Sequence, residues 1–459
     1  MSPSRRPPRA SGPAKTNRPS SGGRAAQGSR ASHGARPAQA AGLSLFEQIC
    51  SALDEVLALR GPADMVLRQH FKAHPQLGRR DRGLIAETVF DVLRNRRLYA
   101  YWAQTLLGPL TRRLVQLSLA RRHDPQALAG LGQGEHADML GALVRTDTSA
   151  LPITTQLSLP DWLLDRLRGS LDQAMGLTAP DDAALQALGK ALLEPAPLDL
   201  RVNLLKTDRD AVLQALTAAG IEAQPVAEID TAIRVKGKPA IERLAAFESG
   251  WFEVQDAGSQ ALVDFCDARR GQTVVDFCAG AGGKTLAMAA QMRNRGQIFA
   301  CDTSHARLAR MKPRLLRSGV TNIQPFVIED ENDGRLGRLA GRADRVLVDS
   351  PCSGTGTLRR NPEIKWRLVE TDIAELAGKQ LRILAAAARL VKPGGVLIYA
   401  TCSLLCAEND EVAAAFAASH PGFEAQGVLR LLPGLTALPG VTAGPQGDGF
   451  FAARWLRRS

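Results

Sequence analysis

Apolar residues recur at helical spacing soon after residue 42. Ile49, Leu53, Val56 and Leu57 fall on one face, and Leu84, Ile85, Val89 and Val92 on another, so residues 43–150 are predicted to be helical. Between the two faces, Gly78-Arg79-Arg80-Asp81-Arg82 predicts a turn leading into a helix, and Arg94-Asn95-Arg96-Arg97 the positively charged end of that helix. Two readings of that basic run stand side by side: a capping run on a solvated face, and a phosphate-contacting patch. Residues 151–195 continue in helical style, with turn signals at Pro160-Asp161 and Pro180-Asp181. The period then changes. A short apolar strand over 198–205, a helix over 210–219 ending at Gly220, and strand-like runs over 221–233 and 251–254 predict a small α/β subdomain.

From about residue 257, strands and helices alternate. Short apolar runs at 273–277, 297–301, 323–328, 345–348 and 396–399 are separated by helical stretches at 286–292, 305–318 and 373–391. Repeated strand–helix units predict a mostly parallel sheet with helices on both faces. The expected organisation is a disordered basic tail (1–42), a helical domain (43–150), linker helices with a small α/β subdomain (151–256), and a larger α/β domain (257–459). A chain of 459 residues has room for all of these.

Charge changes the picture only locally. Of the net charge of +12, eight positive side chains lie in residues 1–42 (Arg5, Arg6, Arg9, Lys15, Arg18, Arg24, Arg30 and Arg36), which contain no acid. That segment has almost no large apolar residue, so it cannot offset its ordering entropy and is expected to be disordered. The remainder is only mildly basic, and charge alone is a weak argument for nucleic acid. The seven cysteines are scattered and none has zinc-ribbon spacing. A disulfide framework and a bound metal are therefore not expected, and a reducing, cytoplasmic setting is. No apolar run of about 18 residues predicts a membrane span, and the arginines at the start are followed by no apolar run of the secretory kind. Of the organelle transit type the tail has the composition but not the amphipathic pattern.

Four segments carry candidate chemistry. Val274-Val275-Asp276-Phe277-Cys278-Ala279-Gly280-Ala281-Gly282-Gly283-Lys284-Thr285 is a strand, a glycine-rich turn and the start of a helix. Such a turn lets a ligand approach the backbone at the positive end of a helix. It is not a phosphate-binding P-loop, because that spacing would need glycine where Cys278 sits. The next strand ends at Ala300-Cys301-Asp302, and an acid there can hold both hydroxyls of a ribose. Glycine turn and acid together fit a nicotinamide dinucleotide as well as other nucleosides. Two further strands run into Val348-Asp349-Ser350-Pro351-Cys352-Ser353-Gly354-Thr355-Gly356 and Ala400-Thr401-Cys402-Ser403. Ligands bind at the carboxyl ends of strands in such sheets, so two thiols are expected to face one crevice. Cys50, Cys266 and Cys301 read as small buried hydrophobes, and so does Cys278 outside its place in the glycine turn.

With these segments on the page, the chain resembles the RNA cytosine-5 methyltransferases. The stretch Leu358-Arg359-Arg360-Asn361-Pro362-Glu363-Ile364-Lys365-Trp366 is similar to the bacterial 16S ribosomal RNA branch, the RsmB (Sun/Fmu) type. Asp448-Gly449-Phe450-Phe451-Ala452 looks like that family's closing strand, and residues 46–99 resemble its NusB-like helical domain. Relatives often have proline where Ala281 and Cys406 stand here, and Cys406 is read as a substitution without a role. The resemblance implies an α/β fold: a Rossmann-like S-adenosylmethionine-dependent methyltransferase domain, preceded by the NusB-like domain and the small α/β subdomain.

By the same resemblance, S-adenosylmethionine donates a methyl group to carbon 5 of a cytosine. Cys402 is the thiol that adds to carbon 6, and Cys352 assists proton loss or enzyme release; the reverse assignment of the two thiols is the internal rival. Asp349 is placed to hydrogen-bond the base, and Lys284 to orient cofactor or base. The implied cofactor set is Asp276, Cys278, Ala279, Gly280, Ala281, Gly282, Gly283, Lys284, Asp302, Asp330 and Asp349, with Asp333 as the alternative to Asp330. Arg359, Arg360 and Lys365, with Arg201 and Asn203 of the small subdomain, are the expected RNA contacts, since a base must leave its stack to reach such a site. The implied partner is small-subunit ribosomal RNA, bound by a monomer without membrane or metal. Transfer RNA as substrate and a non-catalytic ribosome-assembly factor are the alternatives.

Overall fold

Ser44 begins the described fold by accepting a hydrogen bond from Glu47 N–H (3.2 Å), which caps helix Leu45–Leu57. The computed structural model describes residues 43–176, 182–435, 441–442 and 446–459. The basic tail 1–42 and the turn at Pro180-Asp181 lie outside the described residues. Helices Leu45–Leu57, Ala63–Ala73, Arg79–Trp102, Leu110–Arg122 and Ala137–Val144 enclose one core that includes Phe46, Ile49, Leu53, Val89, Tyr99 and Trp102. The buried Tyr99 hydroxyl donates to Asp91 (2.7 Å), so no polar cost is left open.

The basic run 94–97 corrects the sequence reading. Helix Arg79–Trp102 does not end there; it only kinks at Asn95 (φ −108°, ψ 18°) and runs on. Arg94 and Asn95 are buried, and Arg94 donates to the carbonyl of Arg359 (3.0 Å). Arg97 donates to Leu159 O (2.9 Å) and pairs with Asp161 (2.9 Å). A face that looks solvated in the sequence is the seam against later parts of the chain.

Two more helices, Asp161–Met175 and Asp182–Leu193, pack Leu163, Leu167 and Leu188 against Leu358, Leu404 and Leu405. The last three residues belong to the loops that follow the two strand-end cysteines. The small subdomain is an antiparallel sheet of order β2-β3-β1-β4, from β1 (Leu198–Val202), β2 (Ala223–Pro225), β3 (Ala232–Val235) and β4 (Phe252–Val254), with helix Arg209–Ala218 beside it. Strand β1 is shorter than its apolar run because Asn203 turns the chain, its side-chain amide donating to Gly250 O (2.9 Å) and Ser318 O (2.8 Å).

The larger sheet has seven strands: β5 (Thr273–Asp276), β6 (Gln297–Asp302), β7 (Ile323–Val327), β8 (Ala343–Asp349), β9 (Val391–Thr401), β10 (Phe423–Leu431) and β11 (Phe450–Arg457). Their order is β10-β11-β9-β8-β5-β6-β7. Strands β5 to β9 pair in parallel, and β11 joins β9 and β10 antiparallel. Val346 and Val348 enter the core on one face and Leu347 the core on the other, which is why these strands read as continuous apolar runs. The predicted helix over 305–318 is two helices, His305–Ala309 and Met311–Ser318. Pro313 has no N–H to donate to the carbonyl of Ala309, four residues back. No described helix is long and apolar enough to cross a membrane.

Candidate active site

The geometry of two thiols follows from strand register. Strands β8 and β9 are parallel neighbours with Asp349 opposite Ala400, so the residues just beyond them emerge side by side. Cys352 Sγ and Cys402 Sγ are 3.4 Å apart, and both side chains are half-buried. Contact with Cys402 and then burial hold the Cys352 thiol well above the ordinary range. Cys406 is not part of this pair: its N–H donates to Ser170 Oγ (3.0 Å) at the helix Asp161–Met175.

Next to the thiols, Lys284 Nζ lies 2.7 Å from Asp349 Oδ2 and 5.3 Å from the centre of the Phe450 ring. Burial alone would lower the Lys284 pKa, but the adjoining Asp349 carboxylate outweighs it and raises it. Lys284 also interacts electrostatically with Cys402.

A cavity of about 480 Å³ opens beside this pair, lined by Asp276, Cys278, Ala279, Gly280, Ala281 and Gly283 of the turn, and by Lys284, Asp302 and Asp349. Its size suits a small-molecule site. Gly280 (φ 56°) and Gly282 (φ 80°) take the left-handed conformations the turn needs. Gly282 does not itself line the cavity; a β-carbon there would meet Met311 Cγ at 2.6 Å. Asp302 accepts from Gly280 N–H (2.9 Å) and Ser304 N–H (2.7 Å), which leaves each oxygen a second lone pair. Asp276 accepts from Thr285 Oγ1 (2.6 Å), while its other oxygen is buried with no partner. Burial pushes its carboxyl up to about 7. A backbone cradle at a helix start, a carboxylate with one lone pair left on each oxygen at the next strand end and an orphaned polar atom fit a nucleoside-bearing cofactor.

Asp330 and Asp333 are both displaced from the expected role. Asp330 accepts from Asn332 N–H (2.7 Å), and Asp333 caps a short turn by accepting from Arg335 N–H (2.9 Å) and is held low by the Arg335 guanidinium. Neither lines the cavity; the intervening Glu331 does. Gln255, Ser259, Thr303, Arg307 and Lys379 also line it and carry no signal in the sequence pattern. Lys379 is shared with a more open hollow of about 650 Å³ that Cys352, Leu368 and Glu375 border.

Most of the expected RNA contacts are corrected. Lys365 is buried (3% exposed) and donates to Arg94 O (2.8 Å), and burial lowers its pKa to about 7. Arg201 and Asn203 are buried in the small subdomain. Arg360 is taken up by Asp448 and Asp256 (both 2.6 Å). Arg359 reaches carbonyls of Gly447 and Pro195 (both 3.4 Å) from a half-buried position at a groove it shares with Arg94 and Lys238. Arg359, Arg360 and Lys365 follow the Pro-Cys loop in sequence, but they hold that loop to the rest of the fold. Lys365→Met is therefore expected to leave RNA affinity and its salt dependence unchanged, measured by filter binding between about 50 and 200 mM salt. The lost hydrogen bond costs on the order of 1 kcal/mol. Between pH 7 and the ordinary lysine value of 10.5 the unfolded chain binds the extra proton, so the wild type gains stability as pH rises through that window and the variant does not.

The loops are packed backbone to backbone. Gly356 N–H donates to Cys402 O (2.8 Å), and Gly449 N–H donates to Gly356 O (2.8 Å). A β-carbon on Gly356 would stand 2.3 Å from Gly449 O and 2.8 Å from Cys402 O. Gly356→Ala is expected to cost about 1–3 kcal/mol by overpacking, read in a melting curve, with a loss of turnover larger than the loss of cofactor binding. Among the described residues no cluster of histidine, cysteine and carboxylate stands ready to hold a metal ion.

Comparison with known proteins places these features in a lineage. Residues 264–455 match the family model described as 16S rRNA methyltransferase RsmB/F, and residues 159–242 match the RsmF/B-like ferredoxin-like domain. Ribosomal RNA small subunit methyltransferase B of Yersinia pseudotuberculosis is 36% identical over 332 residues, 71% of each chain. The solved structure of PH0851 is 26% identical, with a TM-score of 0.69 over 90% of this chain and 98% of that one. NSun6 from Pyrococcus horikoshii, solved with SFG, is 20% identical and shares the fold over 65% of this chain and 98% of its own (TM-score 0.55).

Proposed function

The chain belongs to the RsmB/F family of 16S ribosomal RNA methyltransferases, and from that premise we propose that it methylates carbon 5 of a cytosine in small-subunit ribosomal RNA, with Cys402 as covalent nucleophile. The observation that carries the reading is the thiol pair, 3.4 Å apart at the ends of adjacent strands, beside the Lys284–Asp349 pair. Two thiols in contact have no use in a methyl transfer to oxygen or nitrogen. They do have one at carbon 5, which is a poor nucleophile until a thiolate adds to carbon 6.

The glycine turn, Asp276, Asp302 and the cavity side of Asp349 would hold S-adenosylmethionine. When bound, it supplies an electrophilic methyl group. The protein's own groups do the rest. Cys402 bonds to carbon 6 as the thiolate, the nucleophilic form of a cysteine. Asp349 hydrogen-bonds the polar edge of the base and so favours the ring protonated at N3, which is the form whose carbon 6 is electrophilic. As the Cys402 sulfur leaves, carbon 5 gives up its proton to water, and Cys352, kept protonated and within reach of Cys402, donates its own proton to the departing thiolate. Residues 43–150 and the small α/β subdomain serve RNA recognition in this reading.

The test is transfer of label from S-adenosylmethionine to unmodified small-subunit ribosomal RNA and to transfer RNA, with the modified atom identified by mass spectrometry of nucleosides. 5-Methylcytidine in the ribosomal RNA is the expected product. Label at another atom overturns the chemistry, and label only in transfer RNA overturns the substrate.

A further inference from the structure

Beyond Asp349 and Ala400 the ladder between β8 and β9 stops, with Ser350 N–H donating to Ala400 O (2.8 Å) as its last rung. The cysteines lie past that point, on loops that strand pairing no longer aligns. One fully buried carboxylate spans the gap. Glu408 Oε1 accepts from Ser353 N–H (2.8 Å), the residue after Cys352. Glu408 Oε2 accepts from Ser403 Oγ (2.6 Å), the residue after Cys402. Gln380 Nε2 donates both to Glu408 Oε1 (2.9 Å) and to Pro351 O (3.0 Å), the residue before Cys352. The neighbouring Asn409 completes the grip on the other thiol, accepting from Thr401 Oγ1 (2.5 Å) and donating to Ser403 O (3.0 Å).

We propose that Glu408 is a positioning residue, whose carboxylate clamps the two thiol loops together and sets the contact between Cys352 and Cys402. The proposal rests on the covalent reading of the thiols given above. Its three partners are all donors, which suits an ionised, acceptor-only carboxylate. No cation pairs with it among the described residues; the charge is carried by hydrogen bonds alone. Burying an anion is costly unless every lone pair is used, and an apolar side chain would fill the same space without that cost. What the apolar side chain lacks is a means of holding both loops at once. The carboxylate also supports the division of labour, since after the Cys402 contact and burial it adds to the forces keeping Cys352 protonated.

The experiment uses the full chain and compares wild type with Glu408→Gln and Ser403→Ala. Gln keeps one carbonyl oxygen for Ser353 and Gln380 but places an amide against Ser403; Ser403→Ala leaves the carboxylate in place but removes the donor to Oε2, along with the contacts of Ser403 Oγ to Leu405 N–H and to the Ser353 and Thr355 hydroxyls. Folding is checked by thermal melting, and S-adenosylmethionine binding by calorimetry. Turnover is split into kcat and KM on small-subunit ribosomal RNA. The thiol contact is read without any substrate: the protein is equilibrated with oxidised and reduced dithiothreitol, and the fraction carrying a Cys352–Cys402 disulfide is mapped by mass spectrometry. Each protein disulfide formed reduces one oxidised dithiothreitol, so the ratio gives an effective concentration of one thiol for the other.

The expected result is a folded Glu408→Gln that binds S-adenosylmethionine as the wild type does. Its kcat falls by about 10²-fold with KM changed little, as for a small misplacement of reacting groups, and its effective thiol concentration falls by roughly tenfold or more. If Glu408→Gln fails to fold, Ser403→Ala is expected to show the same two losses in weaker form. Thiol pairing unchanged from wild type in a folded variant overturns the proposal, whatever happens to turnover. A wild type that makes no 5-methylcytidine overturns the functional reading instead, and thiol pairing then still decides whether Glu408 clamps the loops.

Discussion

Cys402→Ala is expected to abolish methyl transfer, by on the order of 10⁴-fold or more, and to leave no covalent protein–RNA complex on a denaturing gel. Cys352→Ala is expected to retain S-adenosylmethionine binding, to turn over slowly, and to accumulate that complex. The opposite signs follow from the opposite jobs proposed above for the two thiols. Removing the attacking thiol removes the only route by which carbon 5 becomes nucleophilic, so nothing downstream occurs. Removing its partner leaves attack possible but takes away the proton donor 3.4 Å from the departing sulfur, so the enzyme stalls while bonded to its product. Both side chains are half-buried cysteines and alanine leaves room rather than strain, so both variants are expected to fold. If the complex vanishes with Cys352→Ala and persists with Cys402→Ala, the two roles are exchanged.

Asp349→Asn is the second large effect. The amide has nearly the same shape, so the cavity keeps its outline, but the charge that holds Lys284 is gone. Turnover is expected to fall by about 10²- to 10⁴-fold, because the proposed hydrogen bond to the base weakens and Lys284 loses its anchor. Stability is expected to fall too, by less than the roughly 3–5 kcal/mol of a fully buried broken pair, since Asp349 is 29% exposed. The pH dependence gives the sign. In the wild type Asp349 outweighs burial and raises the Lys284 pKa, so the pair stabilises the fold below the ordinary lysine value and that contribution is lost as pH rises through the folded value. In the variant, burial acts against the ammonium with little to oppose it. Urea titrations of the two proteins are therefore expected to differ at neutral pH and to converge at strongly alkaline pH.

How far the sequence carried the site depends on what set each position. Cys352, Cys402, Asp349, Asp302 and the glycine turn were legible because strand ends and turns are local features, and a parallel sheet brings its strand ends together. Lys365, Arg201 and Asn203 were misread because a polar residue in a loop looks exposed until its tertiary partners are known. Lys365 owes its burial to a carbonyl 271 residues earlier, which no local pattern announces. The loop after β7 was misread for a different reason: its two aspartates are used by turn hydrogen bonds, which leaves the glutamate between them to face the cavity. Glu408 gave no signal because one acid of the polar run Glu408-Asn409-Asp410-Glu411 reads as solvated like its neighbours.

The seam between helix Arg79–Trp102 and the Pro-Cys loop also has a consequence in time. Lys365 and Trp366 donate to the carbonyls of Arg94 and Leu93 across 271 and 273 residues (2.8 and 2.7 Å), and Trp366 packs on the helical core. At about 5–20 residues per second of synthesis, those carbonyls wait roughly 15 to 55 seconds for their donors to leave the ribosome. The N-terminal helices carry an unfinished face throughout that interval, exposed to chaperones and to other nascent chains. The face closes only after the segment that bears Cys352 has been made.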